Sequence, residues 1–185
     1  DKLLVICTLN NIKPIIILTK KDKLTREEKK ELKKVLKYYK KYYKVLYNTN
    51  LFRIKLLLRN KTTVFTGQTG SGKSTLMNKL DKNLDFETNE ISHALGRGKH
   101  TTRCVSLVRM YNGKVLDTPG FSDIDLSIYS KEQIKQSFIE FNKYECQYKD
   151  CMHINENNCK IKELVKKQEI LEDRYINYKK MISNK

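Results

Sequence analysis

Gly67-Gln68-Thr69-Gly70-Ser71-Gly72-Lys73-Ser74 matches the pattern GxxxxGK[ST] at every fixed position. It stands where such a loop has to stand, after an expected strand at Thr62–Thr66 and before an expected helix at Thr75–Leu80. The glycines let backbone amides of Gln68, Thr69, Gly70 and Ser71 curl around phosphate oxygens, and the N-terminus of the helix adds its positive dipole end. Lys73 is placed to reach the β and γ phosphates and Ser74 to ligate Mg²⁺, and Thr75, which begins the helix, completes the nucleotide-binding set. The chain therefore contains a nucleotide phosphate site carried on an α/β framework.

Some forty residues on, Asp117-Thr118-Pro119-Gly120 ends another apolar strand. A carboxylate there can hold the Mg²⁺ water shell, and the Gly120 amide can sense a γ-phosphate. Between the two lies a long polar stretch, 82–103, with little periodicity, which in a compact domain marks a functional loop. It contains Gly96-Arg97-Gly98-Lys99-His100-Thr101-Thr102-Arg103, where Thr101 or Thr102 supplies a hydroxyl to Mg²⁺. Phe121 follows Gly120, so the glutamine that often orients the attacking water is replaced by a side chain unable to hydrogen-bond. Slow intrinsic turnover is expected, with His100 the candidate for positioning the water.

Thr19-Lys20-Lys21-Asp22 follows a strand and is similar to the NKxD element with which GTPases read guanine. Asp22 can accept from guanine N1–H and the 2-amino group together, whereas adenine would present it with a lone pair. GTP is thus expected over ATP, by about 1–3 kcal/mol if base readout is a guide. Thr19 replaces the usual Asn, which leaves loop bracing open and is the only support for an ATPase. Tyr47-Asn48-Thr49-Asn50 falls where circularly permuted GTPases, which this chain resembles, carry a second base-contacting loop, but it lacks their usual Ser-Ala. The order 19–22, 67–74, 96–103, 117–120 resembles that of circularly permuted GTPases, a rearrangement tolerated because domain termini lie close together at the surface.

Around these motifs the pattern reads as strands at Leu3–Thr8 and Ile15–Thr19, and then a helix opened by a capping box at Thr25 and Glu28. A strand at Val45–Tyr47 and a helix at 50–58 follow. Strands at Cys104–Met110 and Lys114–Leu116 flank a turn at Tyr111-Asn112-Gly113, and Ser130 with Gln133 caps a further helix. Leu171, Tyr175, Tyr178 and Ile182 mark a terminal helix. Strands alternating with helices imply a mostly parallel sheet covered on both faces. Only Asn10–Pro14 separates the first two expected strands, too few for a parallel crossover, so either they form a hairpin or a segment is missing between Asn10 and Asn11.

Cys146-x4-Cys151-x-His153-x5-Cys159 offers four ligands suited to a closed tetrahedral Cys₃His zinc site, structural because no position is left open. Five cysteines, three of them here, point to a metal in a reducing compartment rather than to a disulfide framework. Lys plus Arg is 38 against 21 Asp plus Glu, a formal net charge of +17, which favours polyanionic partners such as nucleic acid through counterion release. The longest apolar runs are far too short to span a membrane, and the start does not look like a cleavable signal.

Permuted order, GRGKHTTR at 96–103, DTPGF at 117–121 and the zinc-ligand spacing together make the chain resemble the ribosome small subunit-dependent GTPase A family over nearly its whole length. The resemblance implies GTP hydrolysis stimulated by the small ribosomal subunit and its rRNA, in the late maturation of that subunit. It also implies a monomer in the cytoplasm or in an organelle of bacterial descent, and His100, with Lys73 and Thr102, in catalysis. The expected fold is a circularly permuted α/β GTPase domain at 1–127 and a small α-helical zinc-binding subdomain at 128–185, with an N-terminal OB-type domain preceding this chain. The competing function is a nucleotide-gated rRNA-binding module in which hydrolysis is incidental.

Overall fold

The computed structural model describes residues 1–82, 106–117 and 124–183. The elements are α1 (Lys2–Leu9), β1 (Ile15–Leu18), α2 (Arg26–Tyr39), β2 (Lys44–Tyr47), α3 (Leu51–Leu58), β3 (Thr62–Phe65), α4 (Lys73–Leu80), β4 (Ser106–Met110), β5 (Gly113–Asp117), α5 (Lys131–Ser137), α6 (Lys160–Lys166) and α7 (Glu172–Ser183). Two compact units emerge: Asp1–Ile16 with Thr25–Val45 and Ile124–Lys185, and Ile17–Leu24 with Leu46–Asp123. This grouping places α1 and α2 with the C-terminal segment, whereas the sequence division runs between 127 and 128.

In the second unit β3, β5 and β4 form a three-stranded sheet in that order, with β3 parallel to β5 and β4 antiparallel to it. Phe65 and Val115 on one face pack with Ile54 and Leu58 of α3 and Met77 of α4. On the other face Val64 and Leu107 are 52% and 57% exposed, so among the described residues the sheet is covered on one side only. β1 pairs with β2 in a separate two-stranded sheet. The β4–β5 turn is the pair Tyr111–Asn112, with φ of 50° and 58°, the left-handed pair of a type I′ hairpin whose twist matches its strands. Gly113 lies in β5 itself. A Cβ there would come within 2.5 Å of the Leu58 and Lys61 carbonyl oxygens, so glycine is required by close backbone approach.

In the first unit, α2 and α5 open on the expected capping boxes. Thr25 accepts from Glu28 N–H at 3.2 Å and Ser130 from Gln133 N–H at 3.1 Å, each answered by the acidic or amide partner at 2.7 Å. Phe138, Phe141 and Ile134 are fully or nearly fully buried, with Tyr178 and Ile182 of α7 in the same core.

The segment Leu3–Thr8, expected as a strand, is the helix α1. A short apolar run has no period that separates strand from buried helix, and tertiary packing decides. Leu4 and Val5 are buried, the Thr8 hydroxyl bonds back to the Leu4 carbonyl at 2.9 Å, and Val5 joins the core that Ile134 of α5 also enters. The correction also removes the apparent gap at Asn10 and Asn11. Helix to strand needs only a short connection, and the backbone runs on through Asn10 N–H to Ile6 O at 3.0 Å and Ile12 N–H to Cys7 O at 2.8 Å.

Candidate functional site

The phosphate loop is shaped by backbone before any ligand arrives. Gly70 and Gly72 adopt φ of 71° and 90°, and Gly72 caps α4, so that Lys73 and Ser74 begin the helix. A side chain at Gly72 would meet only ordinary contacts with Thr19, at 3.8 Å; its left-handed backbone is what calls for glycine. Lys73 Nζ donates to the carbonyl oxygens of Gly67 at 3.0 Å and Gln68 at 3.1 Å, which holds the ammonium at the mouth of the loop. Ser71 N–H closes the turn on Gln68 O at 3.1 Å. Ser74 is half-buried and Thr75 exposed. An oriented ammonium and a helix N-terminus at one point are the features that a polyphosphate site requires.

Asp117 ends β5 directly beside Phe65 in the parallel register, two residues before Gly67. Both lie at the carboxyl ends of parallel strands, where open α/β sheets bind ligands.

Thr19 is tied to this loop. Its hydroxyl donates to Ser71 O at 2.8 Å, so the segment expected to read the base is hydrogen-bonded to the segment expected to hold the phosphates. The substitution of Thr for Asn thus keeps a brace. Lys20 takes a left-handed conformation, φ 54°, and begins a short turn, Lys21–Lys23, that leaves Asp22 exposed. Lys21 Nζ lies 4.7 Å from the centroid of the Tyr47 ring, and Asn48 N–H donates to Leu18 O at 2.9 Å. The loop at 47–50 therefore sits against the 19–22 loop. Thr19→Val, which leaves the Ser71 carbonyl without this partner, is expected to cost about 1 kcal/mol, a roughly fivefold weaker dissociation constant for a guanine nucleotide, with Thr19→Asn restoring affinity in the same titration.

His100, Thr101, Thr102, Gly120 and Phe121 lie outside the described residues.

A second site is built from Cys146, Cys151, His153 and Cys159, whose donor atoms all lie within 4.8 Å of one another. His153 Nδ1 is 3.5, 3.3 and 3.4 Å from the sulfurs of Cys146, Cys151 and Cys159, and the Cys146 and Cys159 sulfurs are 3.9 Å apart. Donors at zinc bond lengths of about 2.3 Å (S) and 2.0 Å (N) on a tetrahedron stand about 3.5–3.8 Å apart, so the four residues fit such an ion in type and spacing. Burial, with Lys135 nearby, holds the His153 imidazole at about 4, so it is neutral with a free lone pair at pH 7. Burial pushes the Cys151 thiol up to about 12. An arriving cation would displace the thiol protons and take the imidazole lone pair as it stands.

The loop carrying the ligands is held from within and from α7. Glu156 accepts from Met152 N–H at 2.6 Å and Ile154 N–H at 2.8 Å, while Tyr178 and Tyr175 of α7 donate to Met152 O and His153 O, each at 2.6 Å. The Phe141 ring meets the His153 ring edge-on at 5.5 Å. Glu156 gives no pattern by which to find it. Tyr175 and Tyr178 are legible as helix stripe, but not as carbonyl donors.

A third feature went unread in the sequence. Arg174 is 1% exposed; its Nε donates to Glu140 Oε1 at 2.6 Å, Nη1 to Asp1 Oδ1 at 2.6 Å and Nη2 to the Tyr43 hydroxyl at 3.1 Å. Its guanidinium carbon lies 4.4 Å from the Phe138 ring centroid. Its place three residues after Leu171, on the apolar stripe of α7, was the available signal.

Comparison with known proteins was informative over most of the chain. Residues 1–127 match the model of the RsgA GTPase family. The chain is 45% identical over 185 residues to the small ribosomal subunit biogenesis GTPase RsgA of Streptococcus mutans, covering 99% of this chain and 63% of that protein. The crystal structure of YjeQ from Thermotoga maritima superposes with a TM-score of 0.81 at 27% identity, covering 99% of this chain and 63% of that one. YloQ, described as a circularly permuted GTPase, gives a TM-score of 0.76 at 27% identity, with 99% and 60% covered.

Proposed function

The chain belongs to the RsgA GTPase family and shares the circularly permuted α/β fold, and from that premise we propose that it binds and slowly hydrolyses GTP, stimulated by the small ribosomal subunit, during late maturation of that subunit. The observation that carries this is the hydrogen bond from Thr19 to Ser71 O, which joins the guanine-type element to the phosphate loop. The residues of 1–127 form the GTPase domain and those of 128–185 the metal-binding subdomain, a division supported by the end of the family match at 127 and the ligands from 146 onward. The partner is the small subunit with its rRNA, which the chain meets as a monomer. The setting is the cytoplasm of a bacterium or an organelle of bacterial descent. No helix among the described residues is long and apolar enough to cross a membrane.

Asp22 accepts from the guanine edge, with Thr19 and Lys20 shaping the loop around the base. Backbone amides of the 67–74 loop take up the β and γ phosphates, with Ser71 N–H giving up its bond to Gln68 O to do so. On hydrolysis water attacks the γ-phosphorus, the bond to the β–γ bridging oxygen breaks, and GDP and phosphate leave. Lys73 turns its ammonium from the loop carbonyls to the charge growing on the transferred group. Ser74, Asp117 and the hydroxyl of Thr101 or Thr102 would hold Mg²⁺, which would supply further charge neutralisation. Gly120 senses the γ-phosphate, and His100 orients the water in place of the glutamine that Phe121 excludes.

Zn²⁺ is the ion we assign to Cys146, Cys151, His153 and Cys159, because a closed set of three thiolates and an imidazole suits it. Its role is structural.

His100→Ala tests the assignment against an rRNA-binding module whose hydrolysis is incidental. Subunit-stimulated turnover is expected to fall about 10²-fold or more, the contribution of a positioned proton-handling group, while subunit binding is retained. An unchanged rate would favour the binding module.

A further inference from the structure

The solvent face of α2 is a built stripe of positive charge. Residues 26–44 carry nine basic residues against three acidic, about a third of the net charge of +17 in about a tenth of the chain. Arg26, Lys30, Lys33, Lys37 and Lys40 are exposed and recur at intervals of three and four. At about 100° per residue they fall within about 80° of arc along about 20 Å of helix. Leu32, Leu36 and Tyr39 turn to the other side. The three glutamates lie about 100° or more from the centre of the stripe. Glu28 is used in the cap and Glu31 pairs with Lys34 at 3.2 Å, so neither offsets it.

A face that is merely soluble alternates its charges, as α6 does, where Glu163 pairs with Lys160 at 2.9 Å and with Lys167 at 2.5 Å. Like charges at these spacings repel and weaken a helix, and the stripe keeps five of them in a row. We propose that this face of α2 docks on the phosphate backbone of double-helical RNA, a proposal that rests on the ribosomal partner assigned above. Four of the five cations, Lys30, Lys33, Lys37 and Lys40, are point charges on flexible stems, suited to phosphates rather than base edges. Tyr38 is buried and Tyr39 half-buried, so the stripe offers no platform for stacking unpaired bases. An anionic membrane is disfavoured because the apolar side of α2 is already committed to the core.

The test uses the full chain with Lys30→Gln, Lys33→Gln and Lys37→Gln together, beside a control with Lys149, Lys166 and Lys180 changed to Gln, which removes equal charge from exposed positions of the same unit. Binding to a duplex RNA hairpin and to purified small subunits is titrated against salt. Each lost phosphate contact lowers the slope of log K against log salt by about 0.7–0.9, so the α2 triple is expected to lower it by about two to three, with guanine nucleotide affinity unchanged. Lys→Arg at the same three positions is expected to restore binding, which separates charge from folding. An unchanged slope, an equal loss in the control, or stripe-dependent binding to anionic vesicles in place of RNA would overturn the proposal. If the unsubstituted chain ignores small subunits yet the triple still loses the slope on duplex RNA, the stripe stands and the assignment of the ribosomal partner falls.

Discussion

Stripping the metal with a strong chelator, or replacing Cys159 with Ser, is expected to release one zinc ion per chain and to unfold the segment from Cys146 to Cys159. The buried side chains of that segment are the ligands Cys151, His153 and Cys159, at 3%, 7% and 5% exposure, so its packing turns on the metal even though Glu156, Tyr175 and Tyr178 hold its backbone. Structural zinc in such sites contributes on the order of 10 kcal/mol of apparent binding free energy at pH 7, and where no preformed site exists unfolded, that energy is folding energy. The effect should travel, because Tyr175 and Tyr178 of α7 donate to the carbonyls of His153 and Met152 in the ligand loop. Loss of far-UV helical signal with chelator, recovered on adding Zn²⁺, checks this alongside a metal assay. A chain with no bound metal, or with unchanged thermal unfolding after chelation, would show that the four residues only pack together.

Arg174→Met is expected to destabilise the folded chain by about 3–5 kcal/mol, because it leaves Glu140, which is 0% exposed, with its carboxylate unpaired by charge. Asp1 loses a partner in the same step, although Tyr39 and Asn177 still donate to it at 2.7 Å each. The partner experiment is Arg174→Met with Glu140→Leu, apolar groups of comparable volume on both sides. Replacing both ends of a buried pair is often neutral, so the double variant should recover most of the loss. Denaturant titration of the single and double variants measures this directly. A double variant as unstable as the two single losses added together would mean that Arg174 acts by packing against Phe138 rather than by its charge.

What could be read from the sequence was what is local in the chain. The phosphate loop spans eight residues and its chemistry is written in them. The capping boxes at Thr25 and Ser130 join groups three residues apart, and the metal ligands fall within fourteen. Arg174 was not legible because its partners Glu140, Tyr43 and Asp1 stand 34, 131 and 173 residues away, and isolated Arg is a surface residue by default. The helix α1 was misread for a related reason: Lys2–Leu9 has apolar residues on every side, so only its packing separates helix from strand. α6, at Lys160–Lys166, was not expected at all; its two buried residues, Ile161 and Leu164, leave too short a pattern to stand out. Thr19 shows the reverse case. Its departure from Asn put the brace in question, and the atom that settles the geometry, Ser71 O, lies 52 residues on.

The most direct test is GTP and ATP hydrolysis by the full chain with Mg²⁺, with and without purified small ribosomal subunits. GTP turnover is predicted to rise at least about tenfold with subunits while ATP turnover stays flat, as a guanine-reading Asp22 and a subunit-completed catalytic loop require. Equal turnover of both nucleotides, or GTP turnover indifferent to the subunit, would contradict it.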